Sequence, residues 1–282
     1  MVHYHVAYVP HQAIRHPLAV TGSILLIVLC ILALFPEAIA PYDPIKIELS
    51  NRLQAPSSAN WFGTDNFGRD LFSRIVYGVR ISLLTSVTVV ITAAVVGASL
   101  GVLSGYLGRW SDEVLMRITD MFMAFPVILL AMVVVVVLKP GLINTMIALI
   151  IVWWPVYARL MRSQVITIKE RPYVEAAVAF GANPWRVTVR HILPNALAPI
   201  LVQSTMDMGY VVLTGAALGF MGLGAQPPIP EWGRMISSGR SYFLDAWWYP
   251  VFPGLAIAVT VMGFNLLGDY LRDWMDPKSR TI

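Results

Sequence analysis

Long apolar stretches decide what this chain can become. Residues 18–36, 81–108, 121–138, 140–158 and 246–268 each run without a single charged side chain. Each is at least as long as the roughly 18 residues needed to cross the hydrocarbon core of a bilayer. A sixth stretch, 195–219, is interrupted only by Asp207. Lipid offers the backbone no hydrogen-bond partner, so each stretch is expected as an internally bonded helix. The expectation is an all-α integral membrane protein with six transmembrane helices.

Composition agrees and removes other classes. The 282 residues are 57% apolar and 13% charged, against about 45–50% and about 25% in soluble domains. The net charge of +4 is scattered, without the basic run or stripe of a nucleic-acid binder. Cys30 is the only cysteine, so neither a disulfide framework nor a cysteine metal site is available. His3, His5, His11 and His16 crowd the N-terminal tail, where a solvated segment explains them better than a metal site does. Arg15 ahead of the first stretch, and Ala38-Ile39-Ala40 after it, imitate a cleavable signal peptide. The apolar run is longer than the usual 7–15 residues of a signal core, and Pro41 follows the supposed cut. The first stretch is therefore read as a span.

Basic residues orient the bundle. With six spans and a cytoplasmic N-terminus, the inner side receives Arg15, Arg109, Arg117, Arg159, Arg162, Lys169, Arg171, Arg186, Arg190, Arg272, Lys278 and Arg280. The other eight fall outside, seven of them on or beside two longer outer loops and Lys139 between the third and fourth spans. The organisation that follows is a cytoplasmic tail (1–17), a first span (18–36) and an external loop (37–79) with an amphipathic segment. A five-helix core (80–272) contains a cytoplasmic loop at 166–195 and an external loop at 219–249, and a short cytoplasmic tail (273–282) ends the chain. In the first external loop, Thr64 or Asp65 is placed to cap a helix carrying Leu71, Phe72, Ile75, Val76 and Val79 on one face. In the second, prolines forbid regular helix until about Trp232. Both loops either pack at the membrane surface or offer a docking face to an external partner. Asp269, Arg272, Asp273 and Asp276 crowd the end of the sixth span, at helical ion-pair spacing.

The cytoplasmic loop TIKERPYVEAAVAFGANPWRVTVRHILPNALAP reads as two short helices in an L. Pro172 suits a first helical turn. Tyr173, Ala176, Ala177 and Phe180 then recur as one apolar stripe. Gly181 fits a left-handed C-terminal cap, and Asn183-Pro184 starts the second helix, which Pro194 is expected to close. Two alanines on a short exposed helix let another protein's backbone approach closely, and a rigid helix across the span ends can pass a partner's movement to those spans.

Glu175-Ala176-Ala177, Gly181 and Leu193-Pro194 resemble the EAA loop of bacterial and archaeal ABC-importer permeases, with His191 where that pattern has Ile. The first span through IAPYDP, FGTDNFGRDLFSRIVYGVRISL, ALGFMGLGAQPPIPEWG and FNLLGDYLRDWMDP are similar, in the same order, to the C-type permease of dipeptide, oligopeptide and nickel importers. The resemblance implies a type I importer fold and a homologous second permease subunit. It also implies two ABC ATPase subunits docked on the EAA loops and an extracytoplasmic binding protein that delivers substrate. The ATPase-coupling residues it implies are Glu175, Ala176, Ala177, Gly181, Leu193 and Pro194. ATP and Mg would be bound by the ATPase subunits, with no cofactor in this chain. Consistently, Lys46, Lys139, Lys169 and Lys278 follow Ile, Leu, Ile and Pro, so no lysine follows the glycine that a P-loop requires.

Rival readings fit less of the chain. A helix-turn-helix would not sit between two spans some thirty residues apart. An ion-coupled transporter accommodates Asp207 but has no use for an EAA loop. A membrane hydrolase lacks a paired metal site or a nucleophile set within the spans. Asp207 shares a helix face with Gln203 and Tyr210. The three either line a wetted substrate path at the interface with the second permease, or Asp207 hydrogen-bonds a neighbouring span. Di- or oligopeptides are the expected substrate class. Nickel comes second because Met206 and Met208 flank Asp207; glutathione and oligosaccharides follow.

Overall fold

A computed structural model describes residues 17–275. The N-terminal histidines, Arg15, Asp276, Lys278 and Arg280 lie outside the described residues. Among the described residues every regular element is a helix, apart from one isolated bridge between Thr64 and Asp70. In chain order these are α1 (Pro17–Leu34), α2 (Pro36–Ile39), α3 (Leu71–Leu107), α4 (Arg109–Met123), α5 (Val127–Leu138) and α6 (Leu142–Lys169). After them come α7 (Pro172–Ala179), α8 (Pro184–Val187), α9 (Leu193–Phe220), α10 (Trp232–Gly239) and α11 (Trp248–Met275).

Five helical segments are long and apolar enough to cross a membrane: α1, α3, α6, α8 continued into α9, and α11. The expected third span, 121–138, is not one straight helix. It is divided between α4 and α5, which meet at 90°. Pro126 supplies the cause, since it lacks the N–H a continuing helix needs and biases the residue before it away from helical geometry. The twelve residues of α5 rise only about 18 Å, short of a full crossing. Helix α4 carries Arg109, Asp112, Glu113, Arg117 and Asp120, and its charges are used. Arg162 of α6 clamps Asp112, its Nη2 donating to Oδ2 at 2.6 Å, and Arg159 one turn earlier pairs with Asp120. Counting the bent pair as one span gives six.

Helices α3 and α6 form the central contact, and small residues make it possible. Gly97, Gly101 and Gly105 recur every fourth residue on the face that meets α6. A Cβ on Gly97 would stand 2.3 Å from the Trp154 carbonyl oxygen, and one on Gly105 would stand 2.9 Å from Val165. Small residues at this spacing let two helix backbones approach closely, which substitutes in lipid for the absent hydrophobic drive. Helix α1 belongs to the same bundle, with Gly22 pressed on Leu266 of α11.

The external loop is a folded unit rather than a tether. Neither Thr64 nor Asp65 caps α3; Asp70 does, its Oδ2 accepting from Ser73 N and Ser73 Oγ at 2.7 Å each. Thr64 and Asp65 are spent on the turn itself. Thr64 Oγ1 accepts from Gln54 N at 2.8 Å, and fully buried Asp65 accepts from Phe67 N at 2.8 Å and Arg69 N at 3.0 Å. Arg69 Nε also donates to Asp65 at 2.7 Å, and Arg74 anchors the preceding strand of chain through the Pro44 carbonyl at 2.7 Å. Leu71, Ile75, Val76 and Val79 are buried on the expected face, while Phe72 is half-buried. Trp232 and Trp248 close over the loop, donating to Ile75 O at 3.2 Å and Thr64 O at 3.4 Å.

Pro194 does not close a helix. Residues 188–192 form a π turn through which α8 runs on into α9. The proline has no N–H, and its ring would strike the carbonyl of residue 190 in a regular α-helix. Widening the turn to i→i+5 clears that carbonyl, and Leu193 N bonds instead to Thr188 O.

Candidate functional site

The cytoplasmic segment between α6 and α9 is held by two buried valines. Val174 of α7 and Val187 of α8, each 1% exposed, pack with Ile168 and Ile192 at the ends of α6 and α9. Helix α7 begins at Pro172, and its C-terminus is a full Schellman motif. Gly181 N donates to Val178 O at 2.9 Å and Ala182 N to Ala177 O at 3.0 Å, with Gly181 at φ +82°. Asn183 Oδ1 then accepts from Trp185 N at 2.9 Å and starts α8.

With Val174 as the anchor, the predicted stripe turns outward. Tyr173 and Ala176 are exposed, Ala177 is half-buried, and Phe180 is 93% exposed; Val178, on the Val174 side of the helix, and Trp185 of α8 are exposed as well. Glu175 is exposed on the opposite side of α7 from the stripe. Leu193 is half-buried and Pro194 exposed at the π turn, so these two sit at the helix junction rather than on the stripe. His191, the departure from the EAA pattern, stacks obliquely on Tyr173 with ring centroids 6.3 Å apart. A short rigid helix with an uncovered apolar face and a narrow alanine centre suits contact with another protein.

The intramembrane trio is divided. Gln203 Nε2 donates to Asp207 Oδ1 at 3.0 Å. Asp207 itself is 5% exposed and turned toward Trp153 and Tyr157 of α6, whereas Tyr210 is 59% exposed. The carboxylate therefore lies inside this chain's own packing. Met206 packs on Gly268 of α11 and Met208 packs between the two core clusters. Among the described residues no group of three or more His, Cys, Asp or Glu is placed to hold a metal ion.

Glu231 is a buried acid that sequence reasoning passed over. It caps α10, accepting from Gly233 N at 2.7 Å and Arg234 N at 2.9 Å, beneath Gly219 and Gly224. Burial pushes its carboxyl up to about 7, against the opposing pull of those two N–H groups and the Arg234 charge. The available signal was its position just before Trp232, where the prolines release the chain into helix.

Comparison with known proteins places this architecture. Residues 97–281 match the family described as binding-protein-dependent transport system inner membrane component. The chain belongs to that family. Residues 11–56 of the permease match the N-terminal transmembrane domain of oligopeptide transport permease C. Over 263 residues it is 46% identical to the probable D,D-dipeptide transport system permease protein DdpC of Escherichia coli (strain K12), covering 93% of this chain and 88% of that one. It is also 46% identical to the dipeptide transport system permease protein DppC of Alkalihalophilus pseudofirmus, covering 96% and 89%. Identity to the glutathione transport system permease protein GsiD of Pectobacterium atrosepticum is 43%, covering 95% and 89%. A chain of the inward-facing MetNI methionine ABC transporter superposes with a TM-score of 0.59 at 21% identity, covering 73% of the permease and 98% of that chain. The fold is that of a type I ABC-importer permease, a multi-pass inner-membrane subunit that works with an ATPase and a binding protein.

Proposed function

We infer that this permease forms half of an ATP-driven import pathway for short peptides and takes its power stroke through α7. The observation that carries this is the outward stripe of α7, apolar and uncovered at Phe180 on a helix fixed from below by Val174. Such a face is costly to leave in water and suits a groove on an ATPase subunit. Glu175, Ala176, Ala177 and Gly181 shape that contact, while Leu193 and Pro194 set the junction that carries movement into α9. The functional unit pairs this chain with a homologous second permease, two ATPase subunits and an external binding protein. Both termini are cytoplasmic, and ATP and Mg are bound and hydrolysed on the ATPase subunits. Peptide as substrate is supported by the dipeptide and glutathione permeases to which the chain is 43–46% identical, glutathione being itself a tripeptide.

The test is uptake of a labelled dipeptide into proteoliposomes holding the assembled complex. Uptake is expected only with ATP inside, where the ATPase subunits face, and binding protein outside. Accumulation without ATP, or failure of the ATPase subunits to co-purify, would sink the reading. A cysteine at Arg186 is expected to react with impermeant reagent only from the cytoplasmic side.

A further inference from the structure

Tyr157 and Asp207 occupy the two helices that lead into and out of the coupling segment, α6 and α9. Tyr157 is fully buried and Asp207 almost so. Gln203 satisfies Asp207 Oδ1 at 3.0 Å, but Oδ2 has no hydrogen-bond partner, and neither has Tyr157 Oη. The two side chains are neighbours, with Trp153 beside the carboxyl and Ser204 beside the phenol. Their geometry stops short of a hydrogen bond. On the other side of α9, α11 brings Asn265 up to Gly209, two residues along. No Lys or Arg among the described residues forms an ion pair with Asp207.

An ionised carboxylate here would hold a full charge in a membrane span with one hydrogen bond made and no counter-ion, an arrangement that lipid-embedded chains avoid. An ionised Oδ2 accepting from the Tyr157 hydroxyl would pair both orphaned atoms but keep the charge; a neutral carboxyl pairs them without it. Its proton, carried on Oδ2, can be donated to Tyr157 Oη, while Oδ1 goes on accepting from Gln203. Buried polar groups left unpaired are destabilising and paired ones are specific, so a small side-chain adjustment that closes the pair is favoured.

We propose that Asp207 is held as a neutral carboxylic acid that donates a hydrogen bond to Tyr157, clasping α6 to α9 inside the membrane. The clasp makes the two stems of the coupling segment move as one body, so a displacement of α7 reaches the bundle undivided. Tyr157 and Asp207 are positioning residues, and the idea rests on the coupling role of α7 proposed above.

The experiment uses the complete importer in nanodiscs and proteoliposomes. Coupled uptake by the wild-type complex comes first, since its absence fails the coupling reading before any variant is compared. Infrared difference spectra of wild type against Asp207→Asn at neutral pH are expected to show a carboxylic-acid C=O band that disappears in the variant; an ionised-carboxylate signature in its place overturns the proposal. ATP hydrolysed per peptide imported is the second readout. Asp207→Asn, whose amide still donates from the Oδ2 position, is expected to keep the wild-type ratio. Tyr157→Phe and Asp207→Ala are expected to raise it roughly three- to tenfold, the scale of one lost interhelical hydrogen bond, while the ATPase subunits still co-purify. An unchanged ratio in both, or an Asp207→Asn complex as uncoupled as Asp207→Ala, overturns it.

Discussion

The carbonyl oxygen of Ala158 lies 2.4 Å from the point where a Cβ on Gly101 would stand. The same imaginary carbon would press on Met161 Cβ at 2.8 Å. No flexible side chain can yield here, because both neighbours are backbone or backbone-proximal atoms of α6. Gly101→Ala is expected to destabilise the permease by about 1–3 kcal/mol, and Gly101→Leu to prevent a monodisperse product. Thermal unfolding of the detergent-purified chain measures both. A Gly101→Leu protein melting with the wild type would show that α3 and α6 can separate at little cost.

Gly181 tests a different kind of constraint. A Cβ there meets nothing within 4 Å, yet φ is +82°. Gly181→Val therefore strains only the backbone, by roughly 1–2 kcal/mol. Membrane insertion is expected to survive while the Schellman motif opens, with loss of ATPase association and of uptake. Pull-down of the ATPase subunits against total permease gives the answer.

Phe180→Ala separates contact from conformation. The ring is 93% exposed, so its removal leaves the fold of the isolated permease untouched. If it fills an ATPase groove, truncation is expected to cost about 2 kcal/mol of binding or more, roughly thirtyfold in affinity. Equal ATPase affinity for wild type and variant would remove the stripe from the interface.

Local punctuation made the coupling segment legible. Pro172, Gly181 and Asn183-Pro184 act within their own turn, and the structure places α7, its cap and α8 where those residues dictate. What escaped reading depended on distant partners. Hydropathy summed over 121–138 is blind to a 90° bend, because Pro126 and the Arg159 and Arg162 clamps act on direction rather than on apolarity. The cap of α3 falls on Asp70 rather than on Thr64 or Asp65, because the folded loop consumes the side chains of those two. The shared face of Gln203, Asp207 and Tyr210 was correct as helix geometry. Which side of that face meets α6 is a tertiary fact, and it buries Asp207 while leaving Tyr210 outside.

Glu231 predicts a pH dependence. Its folded-state carboxyl is raised to about 7 from an ordinary 4.5. Between those values the folded chain binds more protons than the unfolded one, so stability falls as pH rises. The stabilisation is complete below about 4.5 and lost on passing 7, with a scale of about 3 kcal/mol for a shift of this size. The melting temperature of the purified permease is expected to be higher at pH 5 than at pH 8, and Glu231→Gln to flatten that difference. A slope that persists unchanged in the variant would assign it to other groups.

The π turn at 188–192 holds one residue more than an α-helix would spend on the same arc. Each residue in a helix turns the chain by about 100°. Deleting one residue there, with Pro194 replaced so that the turn tightens to α, would leave the bearing unchanged. Replacing Pro194 so that the turn tightens with all five residues kept would swing α7 and its stripe around the axis of α9 by about a quarter of a circle. Every contact within either helix would survive, but the stripe would point elsewhere. The bearing at which this permease presents itself to its ATPase is thus written partly in how many residues this turn spends, and a change of turn type without a matching change of length acts as a change of compass heading rather than as damage.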